Sequence, residues 1–309
     1  MHPAFSVISF TTLLGAAQGF IVTLALLRLV GVSLPHLPGM LVFSTALLLI
    51  SLGASFLHLG RPERAWRAAA MWRTSWLSRE VIVLPVFIAA TLAWAIAEYY
   101  GNATSALPIL IIVLSFLLWL CTAMIYACIR FIAEWSHPLT IINFYLLGIA
   151  SGLTLLTAAL AIIDRESVLL SDISSAAIVF TLAAMAGKII ALMRNSSLKP
   201  LSTLQSATGI RHPVMRQTSM GMSAGAFNTR EFFHGKTLVF LRNIRSFMII
   251  TTFVAPVILL MMLRGASGSV FAGLAVLAFL VQYLGLLSER WLFFAQANHP
   301  QNLYYQVVS

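Results

Sequence analysis

Apolar residues occur along the chain in eight continuous runs, each long enough to cross a bilayer as an α-helix. A crossing needs about 20 mostly apolar residues, and the runs lie at approximately 7–30, 39–60, 80–99, 107–131, 139–163, 173–193, 244–263 and 267–290. Most connectors between them are short and contain Gly, Pro or Asn, which predicts antiparallel neighbours. The pattern predicts an all-α integral membrane protein, built as an eight-transmembrane-helix bundle in one membrane domain over residues 1–309.

Composition leads to the same class of protein. Hydrophobic residues make up 60% of the 309 positions and charged residues only 9%, whereas ordinary globular chains carry roughly a quarter charged residues. A soluble domain of this size is therefore excluded. The net charge of +10 is better explained by membrane topology and anionic lipid headgroups than by nucleic acid, because the mean hydropathy is +0.93.

The basic residues are distributed unevenly between the two ends of the predicted helices. Of the 19 Lys and Arg, 15 fall in loops 2–3, 4–5 and 6–7 or near the C-terminus, and three fall on the opposite side. We call the first side the basic face. The remaining one, Lys188, lies inside the sixth run and is expected to snorkel toward that face. Since cytoplasmic loops are enriched in Lys and Arg, both termini are predicted to be cytoplasmic.

Histidine and cysteine positions limit the possible cofactors. A haem held inside a helix bundle needs two axial ligands facing each other, but only His58 of the seven histidines lies at the end of an apolar run. No bound haem is therefore expected. Cys121 and Cys128 are seven residues apart on one predicted helix and are interpreted as packing residues, so that no metal site is predicted.

One segment concentrates polar chemistry at the basic face. His58 ends the second apolar run, Glu80 begins the third, and the connector between them carries five arginines, including Arg61 and Arg64, together with Trp76. Quinone reduction needs hydrogen-bond donors to two carbonyls and a route for two protons. A histidine, a partly buried glutamate and an arginine at one interface are suited to those tasks.

Simpler explanations for the same residues remain open. Ser78 is a plausible N-cap, and Glu80 in a first helical turn would complement the helix dipole. His58 could satisfy a helix C-terminus, and the tryptophans could form an ordinary interfacial belt. Periodicity and composition alone do not decide between these explanations and a quinone site.

Several motifs carry a resemblance to a known family. The chain resembles the membrane-anchor subunits of dimethyl sulfoxide reductase-type molybdoenzymes over nearly its whole length. The resemblance is carried by the string His58-Leu-Gly-Arg-Pro-Glu-Arg64-Ala, the later Glu80, the end of the fourth run at Met124-Ile-Tyr126 and the C-terminal Glu289-Arg290-Trp-Leu-Phe-Phe-Ala-Gln. The resemblance implies a haem-free anchor that holds an iron–sulfur subunit and a molybdopterin catalytic subunit at the bilayer, with those cofactors in the partners. It also implies electron exchange with the quinone pool, and binding of menaquinone or ubiquinone by His58, Arg64 and Glu80, with Arg61 and Trp76 nearby. The anchor itself is expected to hold no catalytic residue for the partner's substrate.

Within that family, the longer string from His58 to Glu80 and the loop motifs around His212 and His234 are similar to anchors of sulfite-oxidising, cytoplasm-facing complexes. The predicted cytoplasmic orientation agrees with this assignment, and the resemblance implies a bacterial inner membrane. The alternative is a quinol-oxidising anchor for a dimethyl sulfoxide or other S- or N-oxide reductase.

Two questions stay open at the level of the sequence. The basic segment 194–243 is expected to dock the partner subunits, although a loop lying on anionic headgroups would have a similar composition. A secondary transporter is the alternative of a different class, and it would need polar groups near mid-membrane, for which Gln18, Asn143 and Gln282 are the few candidates.

Overall fold

The computed structural model describes residues 5–34, 36–57, 59–102, 104–164, 169–199, 203–215, 237–265 and 268–297. Within these ranges, eight helices are long and apolar enough to cross a membrane. The predicted all-α bundle of eight crossings is confirmed, and the chain is a multi-pass membrane protein.

The first six crossings are single α-helices, the seventh is composite and the eighth is again a single helix. They are α1 (Phe5–Leu29), α2 (Leu37–Phe56), α3 (Trp76–Tyr99), α4 (Ala106–Ala127), α5 (Pro138–Ile163), α6 (Leu169–Ser196), the seventh crossing (Arg242–Gly265) and α10 (Gly268–Ala295). A 3-10 segment, Pro62–Met71, follows α2, and a five-residue helix, α7 (Leu204–Thr208), lies in the loop before the seventh crossing.

The third crossing begins one turn earlier than the hydropathy pattern indicates. Ser75 has extended backbone geometry and its hydroxyl accepts a hydrogen bond from the Ser78 amide, so Ser75 is the N-cap and Trp76 the first helical residue. The interpretation of Ser78 as the cap is wrong. Glu80 is consequently the fifth residue of α3, beyond the first turn in which an acid complements the helix dipole most strongly.

The seventh crossing consists of α8 (Leu238–Ile249), a π-helical turn (Ile250–Val254), α9 (Ala255–Met262) and a final 3-10 turn. Pro256 has no amide hydrogen to donate to the Thr252 carbonyl four residues earlier. Gln282 of α10 donates its side-chain amide to that carbonyl over 3.4 Å and to the Thr181 hydroxyl over 3.2 Å. The Gln282 side chain thus compensates for the irregular backbone inside the membrane, where water cannot do so.

The helices form two groups of four with the same order of neighbours. In the first group α1 contacts α2 and α4, with α3 packed between them; in the second, α5 contacts α6 and α10, and α9 packs against both. The two groups meet mainly along α1 and α5. These two are the most enclosed crossings, with 78% and 72% of their central residues buried, compared with 39% or less for the others.

Glycines allow α1 and α5 to approach at backbone distance. Gly19 of α1 faces Gly148 and Gly152 of α5, and a Cβ atom on Gly152 would overlap the backbone of Gly19 and Phe20. Such small-residue contacts are a common way of packing helices in lipid, where dispersion replaces the hydrophobic effect between helices. The contact sets the separation of the two groups.

Replacement of Gly152 by alanine should therefore destabilise the bundle, because the new methyl group meets backbone atoms that cannot rotate away. We expect Gly152→Ala to lower the free energy of unfolding by about 1–3 kcal/mol, measured by denaturant unfolding in detergent micelles. Gly53→Ala in α2 is the matched control, since no heavy atom lies within 4 Å of its added Cβ. Equal stability of the two variants would show that the α1–α5 contact is not close.

Candidate functional site

The site lies at the basic face, where the two groups of helices meet. The ends of α3, α4, α5, α6 and α10 converge there and bury five polar or charged side chains. We call these the buried polar cluster; they are Glu80, Thr122, Lys188, Glu289 and Arg290, and each is at most 5% exposed.

Glu80 is held by the neighbouring helix. The Thr122 hydroxyl of α4 donates a hydrogen bond to Glu80 Oε1 and also lies 3.0 Å from the Leu118 carbonyl oxygen. Because a hydroxyl has one hydrogen, it can donate to the ionised Glu80 or, when Glu80 is protonated and donates to Thr122, to the Leu118 carbonyl. The Glu80 carboxyl therefore has a satisfied arrangement in either protonation state, as a proton-exchanging group requires.

The other residues predicted for the quinone site are more exposed or lie outside the described residues. Arg61 and Arg64 are exposed on and beside the 3-10 segment, and no described contact joins either of them to Glu80. Trp76 begins α3, one turn before Glu80, and the Arg79 guanidinium lies 4.2 Å from its ring centroid. His58 falls outside the described residues, so its pairing with Glu80 stays a prediction.

Lys188 does not snorkel to the interface as the sequence suggested. Its ammonium donates to Glu289 Oε1 over 2.6 Å, and both side chains are almost completely buried. Arg290 lies on the other side of the carboxylate, with its Nε 3.4 Å from Glu289 Oε2. An isolated charge in this environment costs several kcal/mol, and the pairing explains why Lys188 remains inside the bundle.

Aromatic rings enclose the Arg290 guanidinium. Its Cζ lies 3.8 Å from the Phe144 ring centroid and 5.7 Å from that of Phe293. Tyr126 contacts both of these rings, and its hydroxyl is within electrostatic range of Glu80 and Arg290. The end of the fourth run and the C-terminal motif, noted in the sequence only for their family resemblance, thus meet in space.

Two narrow clefts adjoin the cluster. The first, the outer cleft, is lined by Asn143, Lys188, Glu289 and Arg290 at its inner end and has a volume of about 30 Å³. The second, the inner cleft, lies between α1, α4 and α5, includes Thr122 in its lining and has a volume of about 20 Å³. One water molecule needs about 10–15 Å³ measured in this way, so each cleft has room for water and not for an aromatic ring.

Sequence reasoning missed the central role of Lys188, Glu289 and Arg290. The sequence did contain an indication of these residues, because ionisable residues inside a membrane span are rare and usually functional. The charge count assigned Arg290 to a helix end and Lys188 to an interface, and the pairing depends on contacts between residues about a hundred positions apart. Among the described residues, no group of three or more His, Cys, Asp or Glu side chains is arranged to hold a metal ion.

The Lys188–Glu289 pair yields a stability test. Lys188→Met should lower the free energy of unfolding by about 3 kcal/mol, because a buried carboxylate loses its nearest cation, and the Lys188→Met/Glu289→Gln double variant should recover part of the loss. Lys199→Met removes an exposed lysine on the same face and should change stability by less than about 0.5 kcal/mol. Denaturant unfolding in micelles measures all three, and an equal effect of the two lysine substitutions would contradict the buried pair.

Comparison with known proteins identifies the family to which the chain belongs. A family model described as DMSO reductase anchor subunit (DmsC) matches residues 1–295. The chain is also 46% identical, over 333 aligned positions covering 100% of both chains, to a sulfite dehydrogenase subunit from Allochromatium vinosum. Since the family match spans nearly the whole chain and a full-length relative shares almost half of its residues, the chain belongs to the DmsC family of membrane-anchor subunits.

Proposed function

We propose that this chain is the haem-free, quinone-interacting anchor of a sulfite-oxidising molybdoenzyme complex. The observation that carries the proposal is the buried Glu80–Thr122 pair at the basic face, in a chain that matches the family model over nearly its whole length and a sulfite dehydrogenase subunit over its full length. The partners would be an iron–sulfur electron-transfer subunit and a molybdopterin catalytic subunit, which would hold those cofactors.

The chemistry divides between the partners and this chain. Oxidation of sulfite with one water molecule gives sulfate, two protons and two electrons; reduction of a quinone to a quinol consumes two protons and two electrons. The partners would supply the electrons, whereas this chain would position the quinone and deliver protons. Glu80 is suited to proton delivery because Thr122 stabilises the carboxyl both with and without its proton.

The clefts beside the buried polar cluster are too small for a quinone ring. The quinone is therefore proposed to bind on the other side of Glu80. There, α3 begins next to the end of α2 and the 3-10 segment. We place the headgroup between Trp76, Glu80 and His58, with Arg61 and Arg64 on the exposed side. Half-buried Trp76 offers an aromatic face, and the exposed apolar residues Leu57 and Leu77 border the lipid side, from which a quinone tail would enter.

The basic face would also receive the partners, in the cytoplasm. The 3-10 segment and its flanks present exposed arginines, and Arg79 fixes the end of this connector by donating to the Trp72 and Arg73 carbonyls, each over 2.9 Å. A rigid basic surface next to Glu80 would hold the iron–sulfur partner near the quinone. The segment 194–243, of which 200–202 and 216–236 lie outside the described residues, stays proposed as a further docking element for the partners.

The family description favours a second candidate, a quinol-oxidising anchor of a dimethyl sulfoxide reductase. Proton and electron transfer would then take the opposite direction, with Glu80 accepting the proton of a quinol. The full-length relative favours the sulfite direction. Sulfite-dependent quinone reduction by the purified complex, without dimethyl sulfoxide-dependent quinol oxidation, would distinguish the two.

Glu80→Gln should reduce sulfite-dependent quinone reduction on the order of 100-fold, because an amide cannot exchange a proton with the quinone. The assembled complex should still reduce a water-soluble dye with sulfite, since that reaction bypasses the anchor. Asp172→Asn, which alters an exposed carboxylate in the first turn of α6, at the opposite end of the bundle, is the control and should be close to wild type. The rates are measured in inverted membrane vesicles, whose cytoplasmic face is accessible to added sulfite.

Two results would count against the proposal. Unchanged quinone kinetics in Glu80→Gln would remove this carboxyl from the site. Activity with sulfite in right-side-out vesicles alone would place the basic face outside the cytoplasm and would contradict the proposed orientation.

A further inference from the structure

We propose that the outer and inner clefts hold water and together form a proton route from the basic face to Glu80. The inference rests on the proposed function and deepens it, because it names the path by which the quinone site exchanges protons. It concerns residues on α1, α4, α5, α6 and α10, none of which the sequence had assigned to the quinone site.

The outer cleft leads from the basic face into the bundle. Four of its lining residues lie close to where α5 begins and α6 and α10 end, namely Glu134, His137, Arg194 and Gln296. Arg194 holds this end together by donating to the Ala133 carbonyl from both terminal nitrogens, at 3.0 Å each. Burial lowers the pKa of His137, the Arg194 charge lowers that pKa further, and His137 Nδ1 accepts the Leu139 amide at 3.1 Å. Both effects favour the neutral form of the imidazole at the entrance of the outer cleft.

The inner cleft continues from the same junction toward Glu80. Its lining includes Thr12, Gln18, Trp119, Thr122 and Ser151, which contribute polar groups from three helices. Thr122 is also the hydrogen-bond partner of Glu80. A water molecule in the inner cleft would thus be one hydroxyl away from the carboxyl that the proposed function uses.

Buried polar atoms without hydrogen-bond partners mark both clefts. Asn143 Oδ1 and Glu289 Oε2 belong to residues that line the outer cleft, and Thr12 Oγ1 and Trp119 Nε1 belong to residues that line the inner one. None of the four atoms has a hydrogen bond among the described residues, although Glu289 Oε2 has the ion pair with Arg290. A buried polar group without a hydrogen-bond partner is destabilising, because it has lost its contacts with water. Waters in cavities of water size would satisfy all four atoms, which is the usual role of buried water.

Arg290 and Phe144 line both clefts and form their junction. A fixed guanidinium by itself would repel an excess proton. The Glu289 carboxylate lies 3.4 Å from Arg290 Nε and 2.6 Å from the Lys188 ammonium, and it offsets part of the repulsion from these two cations. Because Arg290 is held mainly by ring contacts with Phe144 and Phe293 and by Glu289, a small movement of its side chain would join the two clefts.

Thr12→Val tests the route with a nearly isosteric change. The Thr12 hydroxyl has no protein hydrogen bond among the described residues, so its loss affects mainly a bound water. We expect the kcat of sulfite-dependent quinone reduction to fall about fivefold, with the KM for quinone unchanged and a larger solvent deuterium isotope effect, because proton transfer becomes rate-limiting. Thr12→Ser keeps the hydroxyl and should restore the wild-type rate.

Thr252→Val is the matched control. Thr252 is also a buried threonine whose hydroxyl lacks a described hydrogen-bond partner, whereas its position at the π-helical turn means that it lines neither cleft. This substitution should leave kcat and the isotope effect unchanged. The Lys188→Met/Glu289→Gln variant should lower kcat in the same manner as Thr12→Val. Dye reduction by each complex reports assembly independently of quinone.

The proton route would be overturned if Thr12→Val and the double variant both had the wild-type kcat and isotope effect. If Glu80→Gln were still impaired in that case, the proposed function would remain intact. Equal impairment of Thr12→Val and Thr252→Val would also overturn the route, since the effect would then come from packing. Normal quinone reduction by Glu80→Gln would overturn the proposed function itself.

Discussion

The backbone contact between α1 and α5 is the constraint on which the site depends. Gly19, Gly148 and Gly152 remove the side chains that would keep these helices apart, and the two four-helix groups meet along this contact. The fourth crossing of each group, α4 and α10, packs against the central pair. The ends of α4 and α10 consequently lie close together, which places Arg290 beside the same cleft as Thr122. A larger separation of α1 and α5 would widen that cleft and separate the two groups of polar residues.

The buried charges are stable because they compensate one another. Lys188 and Arg290 lie on two sides of the Glu289 carboxylate, and Phe144 offers its ring face to the Arg290 guanidinium. Such clusters contribute little net stability compared with apolar packing, so their presence in a membrane span indicates a functional requirement. With Glu80 left aside, the buried polar cluster has one more cation than anion, which would suit negative charge developing nearby in the proposed quinone reduction.

The length of the continuous apolar runs was sufficient to predict the eight crossings, because lipid requires each of them to be long, apolar and helical. It was less informative at helix ends, where a single cap such as Ser75 decides the start and moves Glu80 beyond the first turn. Motif resemblance pointed correctly to the family, and it included Tyr126 and Arg290. The resemblance did not reveal that these residues share one aromatic enclosure. The Lys188–Glu289 pair joins α6 and α10 across 101 positions, and only the packing of the helices brings these residues into contact.

The central claim is that Glu80 exchanges a proton with the quinone. The most direct measurement is infrared difference spectroscopy of the assembled complex during quinone reduction by sulfite, with the Glu80 band identified by its loss in Glu80→Gln. The account predicts that a carboxyl band changes its frequency or intensity as quinone is reduced and that this change is absent in the variant. A difference spectrum in the carboxyl region that is identical in wild type and Glu80→Gln would contradict it.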